Sequence, residues 1–239
     1  MTTCILLDTV DSLLGRLNYT ALSDQTLMEM LIDGIENKQK VTGHPSDSKD
    51  IGEWIGLTIV EENVTVIFWN RLDLEGSLNL EWFPPKLRNV CVIRNNLTGT
   101  IDLSTLPSGT EELYLHQNEF RGSVDLRTLP SGLMEFCLSH NALHGSIDLT
   151  HLPGSITEVD VSANQFSGSV DLTSLPTSLM WLLLQNNAFS GNVDLRHLPD
   201  CICMLNLSMN QFSGDSTIPA AAFDLVNVAN TQLVKQTIE

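Results

Sequence analysis

The residues best equipped for chemistry in this chain are His116, Cys137 and His140, with Glu112 and Glu135 nearby in sequence register. Imidazole nitrogens, a thiolate and carboxylate oxygens are the ligand types of a zinc site. Written in lines of twenty-three residues, Glu112 and Glu135 share a column, and His116, Cys137 and His140 fall close by on the same two lines. The group lacks the fixed spacings that make such residues diagnostic, so scattered surface side chains are the plainer reading. No phosphate-cradling glycine loop, HExxH pair, CxxC pair or G-x-S-x-G elbow occurs. The expectation is therefore a non-enzymatic chain with no catalytic residue, no metal and no cofactor.

What remains is surface chemistry. One column reads Val66, Asn89, Glu112, Glu135, Glu158, Trp181, Met204, and the next but one reads Phe68, Cys91, Tyr114, Cys137, Asp160, Leu183, Asn206. Two further columns run from Asn70 to Ser208 and from Arg71 to Met209. Glu112, Glu135, Glu158 and Asp160 would form a negative centre. Trp181, Leu183, Met204 and Met209 would form an apolar patch beside it. Exposed aromatics and methionines with a charged flank are typical of binding surfaces. The partner-binding set expected from this is Phe68, Glu112, Tyr114, Glu135, Glu158, Asp160, Trp181, Leu183 and Met204. A solvated face with scattered apolar residues is the bland alternative.

These columns exist because the chain repeats. Asn95, Asn118, Asn141, Asn164, Asn187 and Asn210 are each twenty-three residues apart, and so are the glycines from Gly76 to Gly214. A fixed period in this range means a solenoid. Each line reads LxxLxLxxNxLxGxIDLxxLPxx. In Leu113-Tyr114-Leu115 the two leucines point one way and Tyr114 the other, as a strand requires. No repeat can cover its own leucine face, so neighbours must stack, each buried leucine contributing roughly 1.5–3 kcal/mol.

The LxxLxLxxN segment resembles the leucine-rich repeat signature over roughly two thirds of the chain. The resemblance implies an α/β solenoid whose short strands stack in parallel on a concave face. It implies that the asparagines are structural, their amides bonding to backbone groups of the turn and of the next repeat. GxIDLxxLP is similar to the GxIPxxLxxL half of plant-type repeats, and kinetoplastid proteins carry similar Asp-Leu and Leu-Pro variants. Val124-Asp125-Leu126 and its copies then read as a second strand, with Asp102, Asp125, Asp148, Asp171 and Asp194 as an outward acidic ladder. Pro107, Pro130, Pro153, Pro176 and Pro199 end that segment in a turn.

Three parts are expected: a helical N-terminal cap over residues 1–63, the repeat solenoid over 64–217, and a short C-terminal cap over 218–239. Residues 5–17 and 24–35 each place apolar side chains on one helical face. Ser23 or Asp24 caps the second helix and Gly34 ends it. A polar loop runs from Lys38 to Asp50. Trp54 and Gly56 match the C-x-W-x-G-V-x-C cap of plant-type extracellular repeats, but Gly52 and Ile59 stand at its cysteine positions. In 218–239, alternating apolar residues are expected to cover the last strand edge.

The five cysteines are odd in number and form no disulfide framework. Cys91 and Cys137 share a column two repeats apart, about 10 Å at ordinary strand spacing, which is too far to bridge. Free thiols and the lost cap disulfide favour a reducing, intracellular and cytoplasmic place. Sequons at Asn18, Asn63, Asn96 and Asn206 would matter only in a secreted chain. The formal net charge of −17 is spread along the chain and speaks against nucleic acid and anionic membrane as partners. No apolar run is long enough to span a bilayer. The reading is a protein-binding scaffold that holds a partner with a basic contact surface on its concave face. Its rivals are an architectural subunit of a large assembly and a secreted or surface receptor-like ectodomain.

Overall fold

The structure, a computed structural model, describes residues 22–43 and 50–238. The helix expected over residues 5–17 lies outside the described residues. The chain enters through α1 (Asp24–Leu31), where the Ser23 hydroxyl accepts from the Thr26 N–H at 3.3 Å. Leu27, Met28 and Leu31 are buried along one face. Two side chains at its start tie α1 to later parts of the cap. The Asp24 carboxylate accepts from the Val64 N–H at 2.6 Å, and the Gln25 amide oxygen accepts from Ile51 N–H at 2.7 Å. Gly34 does not end the helix, which closes at Ile32. It permits close approach instead, since a Cβ there would lie 2.4 Å from the Ser77 hydroxyl. Within the expected loop a second short helix, α2 (Gln39–Thr42), forms around the fully buried Val41 and stops at Gly43, whose φ is +72°.

β1 (Leu57–Val60) and β2 (Asn63–Phe68) form an antiparallel hairpin through Glu61 and Glu62, both at positive φ. Gly56 is required just before it: φ is +74°, and a Cβ would lie 2.1 Å from the Phe68 carbonyl oxygen. Packing replaces the cap disulfide. Trp54 is buried, Ile59 packs on the core, and the Trp69 indole donates to the Ile55 carbonyl at 2.8 Å.

The repeats then contribute short strands alternately to two sides. On one side lie β4 (Asn89–Cys91), β6 (Glu112–Tyr114), β8 (Glu135–Cys137), β10 (Glu158–Asp160), β12 (Trp181–Leu183), β14 (Met204–Asn206) and β16 (Val226–Asn227). With β1 and β2 they make a nine-stranded sheet, parallel from β2 onward. On the other side, β3 (Glu75–Ser77) pairs with β5 (Asn96–Thr98). There β7 (Arg121–Gly122), β9 (Ala142–Gly145), β11 (Gln165–Gly168), β13 (Ala188–Gly191), β15 (Gln211–Pro219) and β17 (Gln232–Ile238) form a six-stranded sheet. Between the sheets the core is one continuous cluster, and within it the Phe166, Phe189 and Phe212 rings stack at 6.1 Å.

The second strand is not at Val124-Asp125-Leu126, as the sequence suggested, but a few residues earlier, along the Ala-Leu-His-Gly segment and its copies. The reason is the aspartate. Asp102 and Asp125 accept from the N–H two residues on and start one-turn 3-10 helices at Leu103–Thr105 and Leu126–Thr128. Asp148, Asp171 and Asp194 make the same bond. A local carboxylate-to-backbone bond of this kind competes with strand pairing. The prolines do start turns: the N–H of Leu133 bonds to Pro130 and that of Ile156 to Pro153.

The side-chain amide of each ladder asparagine bonds within its own repeat and to the preceding one, not to the next. Asn141 accepts from Phe120 N–H at 3.0 Å and donates to the carbonyls of Leu115 and Leu138 at 3.1 and 3.0 Å. Asn164 repeats the set with Leu143, Leu138 and Val161. The residue before each ladder asparagine is left-handed: Arg94, Gln117, His140, Ala163, Asn186 and Met209 all have φ between 51° and 58°. Such a backbone is uncommon for a side chain. Each of these residues is held by its N–H, which bonds to a carbonyl of the following repeat, as His140 does to Ser162 at 3.0 Å.

Beyond Ile218 the chain makes one more, shortened turn of the same solenoid. Leu205 pairs with Val226 at an offset of twenty-one residues instead of twenty-three. Thr231 takes the ladder position: its hydroxyl donates to the Val228 carbonyl at 2.7 Å and accepts from Leu233 N–H at 3.2 Å. β17 then pairs in parallel with β15 over seven residues. No helix among the described residues is long and apolar enough to cross a membrane.

Candidate functional site

The register of the nine-stranded sheet aligns Val66, Asn89, Glu112, Glu135, Glu158, Trp181 and Met204 strand by strand. A second line runs through Phe68, Cys91, Tyr114, Cys137, Asp160, Leu183 and Asn206. Strict parallel pairing with a common parity puts both lines on the side away from Leu113, Phe136, Val159, Leu182 and Leu205, which are fully buried. Trp181 is 37% exposed, Met204 47% and Met209 53%. Phe68 is also well exposed. It stands five strands from Trp181, however, beside the N-terminal hairpin, and is not brought into one patch with it.

Other positions are more covered than the alternation suggested. Leu183 is only half-exposed, and Cys137 is buried. Ser139, Ser162 and Ser208, in the third column, are buried as well. The available face is therefore about two columns wide. Met134 is an addition that the columns left out. It precedes β8, where alternation would turn it inward, yet it is exposed because the strand starts only at Glu135.

The carboxylates of Glu112, Glu135, Glu158 and Asp160 have no cationic ion-pair partner among the described residues. Tyr114 donates its hydroxyl to Glu135, and Asp160 accepts from Ser162 N–H at 2.9 Å. Burial raises the Glu135 carboxyl above its ordinary value, and the charge of Glu112 adds to this. Burial raises that of Glu158 too, with smaller contributions from the charges of Glu135 and Asp160. Burial, with Asp160 next, pushes the Cys137 thiol up to about 12. Its Sγ lies 3.5 Å from an Asp160 oxygen. A thiol so protonated is a poor nucleophile and a poor ligand.

Burial lowers the His116 imidazole, which sits edge-on to Tyr114. Its Nδ1 is covered and without a partner, as is Oε1 of Gln185 in the same column. Among the described residues no group of three or more His, Cys, Asp or Glu side chains is placed to hold a metal ion, so His116, Cys137 and His140 do not converge.

The aspartate ladder on the turn side is a different environment. Arg127 pairs with Asp125 through two bonds of 2.9 and 2.7 Å, and Arg196 pairs with Asp194 through 2.9 and 2.6 Å. Thr150 and His151 bond to Asp148, and Thr173 to Asp171. The Arg127 bonds bring Asp125 down to about 2, and hydrogen bonds likewise hold Asp148, Asp171 and Asp194 below the usual range.

No known protein-family profile matches the chain, and no curated protein sequence matches it. Solved structures do. A pollen receptor kinase 3 is similar at a TM-score of 0.54 with 23% identity, over 87% of this chain and 95% of that one. A PEPR1–AtPEP1 structure is similar at 0.51 and 19%, over 90% of this chain but 41% of that one. The leucine-rich repeat ectodomain of the Arabidopsis thaliana membrane receptor kinase GASSHO1/SCHENGEN3 has 20% identity and a TM-score of 0.46, over 89% of this chain and 33% of that one.

The expected intracellular, cytoplasmic place is overturned. The pollen receptor kinase 3 structure, similar over 87% of this chain, points instead to a secreted or surface location. The physical ground for the expectation also fails. Trp54, Ile59 and Trp69 close the cap without a disulfide, so the missing cysteines report how the cap is packed and not the redox state around it. With its parallel inner strands, left-handed corners and asparagine ladder, the chain has the fold of a leucine-rich repeat solenoid.

Proposed function

We propose that this chain is a non-enzymatic protein–protein interaction module that holds its partner on the concave sheet, in the manner of a receptor-like ectodomain. One observation carries the reading. The sheet register sets an unneutralised line of carboxylates, Glu112, Glu135 and Glu158, directly in line with the exposed Trp181 and Met204. A fold satisfies or hides such groups unless something else covers them. The receptor kinase among the similar structures supports the receptor-like form of this reading.

The test is capture of the native partner by the intact chain and by two surface variants. Trp181→Ala with Met204→Ala should release the partner. His144→Ala with Ser167→Ala, exposed on the second sheet, should keep it. Loss of the partner only in the second-sheet variant would refute the concave assignment and favour an architectural role.

A further inference from the structure

We infer that the concave face is built for an extended, cationic peptide segment in which two basic side chains at alternate positions are followed by two apolar ones at alternate positions; this rests on the interaction reading above. Charge restricts the occupant first. The chain carries −17, and the four concave carboxylates find no cation among its described residues. A second copy would bring the same charges to the same face, and nucleic acid or an anionic bilayer would bring more. A cationic polypeptide is the complementary occupant.

Spacing then sets the pattern. Neighbouring strands lie about 4.8 Å apart, so Glu112, Glu135, Glu158, Trp181 and Met204 stand at roughly 0, 5, 10, 14 and 19 Å along the face. An extended peptide laid across the strands presents same-side residues about 6.7 Å apart, at roughly 0, 7, 13 and 20 Å. Its first side chain meets Glu112, and its second falls between Glu135 and Glu158, with Asp160 alongside. The third meets Trp181 and the fourth Met204. The first two must therefore be basic and the last two apolar. The intervening side chains face solvent and are free to vary. Flexible methionine beside a rigid indole suits an apolar residue of any shape, so charge and order carry the selectivity rather than one exact side chain.

The test uses fluorescein-labelled nonapeptides and anisotropy, with the whole chain. The ordered probe is Gly-Lys-Ser-Lys-Ser-Leu-Ser-Leu-Gly, made together with its reversed sequence because either direction can lie on the face. The control, Gly-Lys-Ser-Leu-Ser-Lys-Ser-Leu-Gly, has the same composition but sets a leucine against the carboxylates. The ordered probe should bind at least tenfold more tightly than the control in one direction. Glu135→Gln with Glu158→Gln should abolish that preference, and Trp181→Ala should weaken the ordered probe about tenfold.

Equal binding of ordered and control probes overturns the inference, as does a preference that survives the glutamine substitutions. Self-association that Trp181→Ala abolishes overturns it in favour of a second copy. If neither probe binds while a captured partner still needs Trp181 and Met204, this inference fails and the interaction reading stands. If the captured partner ignores both residues, the interaction reading itself has failed.

Discussion

Two columns of carboxylates run along this solenoid at the same twenty-three-residue spacing, five aspartates in one and three glutamates in the other, and their surroundings are opposite. On the turn side Asp125 and Asp194 each accept a backbone N–H and a bidentate arginine, and Asp148 and Asp171 accept hydroxyl and backbone donors. Those groups are held in the charged state by their own repeat. On the concave side Glu112, Glu135 and Glu158 stand in register with no cation among the described residues, and burial raises the latter two. The twenty-three-residue spacing does not distinguish the columns. Neutralisation does. A carboxylate satisfied within its own turn is explained by the fold, whereas one left beside its like is explained only by something outside the chain.

If that contrast is right, substitutions in the turn-side scaffold should cost stability, and concave substitutions should cost binding. The largest effect belongs to the ladder amides that join the two sides. Asn141→Ala or Asn164→Ala strips a partner from four backbone groups, and should cost about 1–3 kcal/mol. In a chain of this size that is about 2–4 °C of melting temperature per kcal/mol. Thermal unfolding monitored by circular dichroism reads it; an unchanged midpoint in both variants would contradict a structural ladder.

Next comes the apolar end of the concave face. Trp181 is 37% exposed, so Trp181→Ala should cost about 1–3 kcal/mol of stability and leave the chain folded. It should weaken the partner by about 2 kcal/mol, roughly thirtyfold, mostly through faster dissociation. Surface plasmon resonance separates the two rates. A slower association with unchanged dissociation would mean that the indole is not an anchor.

The carboxylates should act on the other rate. Glu112→Lys with Glu135→Lys should slow association on the order of tenfold at low salt. The deficit should shrink as ionic strength rises, because exposed charges are screened. Asp125→Asn retains a side-chain oxygen for the turn and should leave association unchanged. A salt-independent loss, or an equal loss in Asp125→Asn, would erase the distinction between the columns.

The solenoid, the concave columns and the ladder positions were readable from the residues because a period and a two-residue alternation are both carried by side-chain identity. Trp181 and Met204 were visible because they interrupt a polar column. The left-handed corner was not, because Arg94, Gln117, Ala163 and Met209 are not residue types that signal positive φ. Asp125 misled because Val124-Asp125-Leu126 alternates as a strand does, while its carboxylate makes a turn bond that alternation cannot report. The final turn was hidden by a two-residue deletion and by Thr231 standing in for asparagine. Cellular place was misjudged because cysteine usage records how a cap is closed, and aromatic packing closes this one.

The smallest effect is also the most direct comparison of the columns, because it uses the proton itself. Glu135 and Glu158 are raised in the folded chain, so folding tightens their hold on a proton. Their contribution to stability is fully present below the ordinary carboxyl value of 4.5 and is lost as pH rises through their folded values. Asp125 runs the other way: its contribution is present above 3.8 and is lost as pH falls through about 2. Glu135→Gln with Glu158→Gln removes the first dependence and keeps an acceptor for the Tyr114 hydroxyl. The double variant should therefore melt above the parent at pH 7, with the two midpoints converging as pH falls toward 4.5. Asp125→Asn should do the reverse, melting below its parent at pH 7 and converging only under strong acid. Melting curves from about pH 1.5 to 8 would show both trends. If the glutamine variant's offset is the same at every pH, the concave carboxylates are solvated like any others and nothing singles them out from the aspartates.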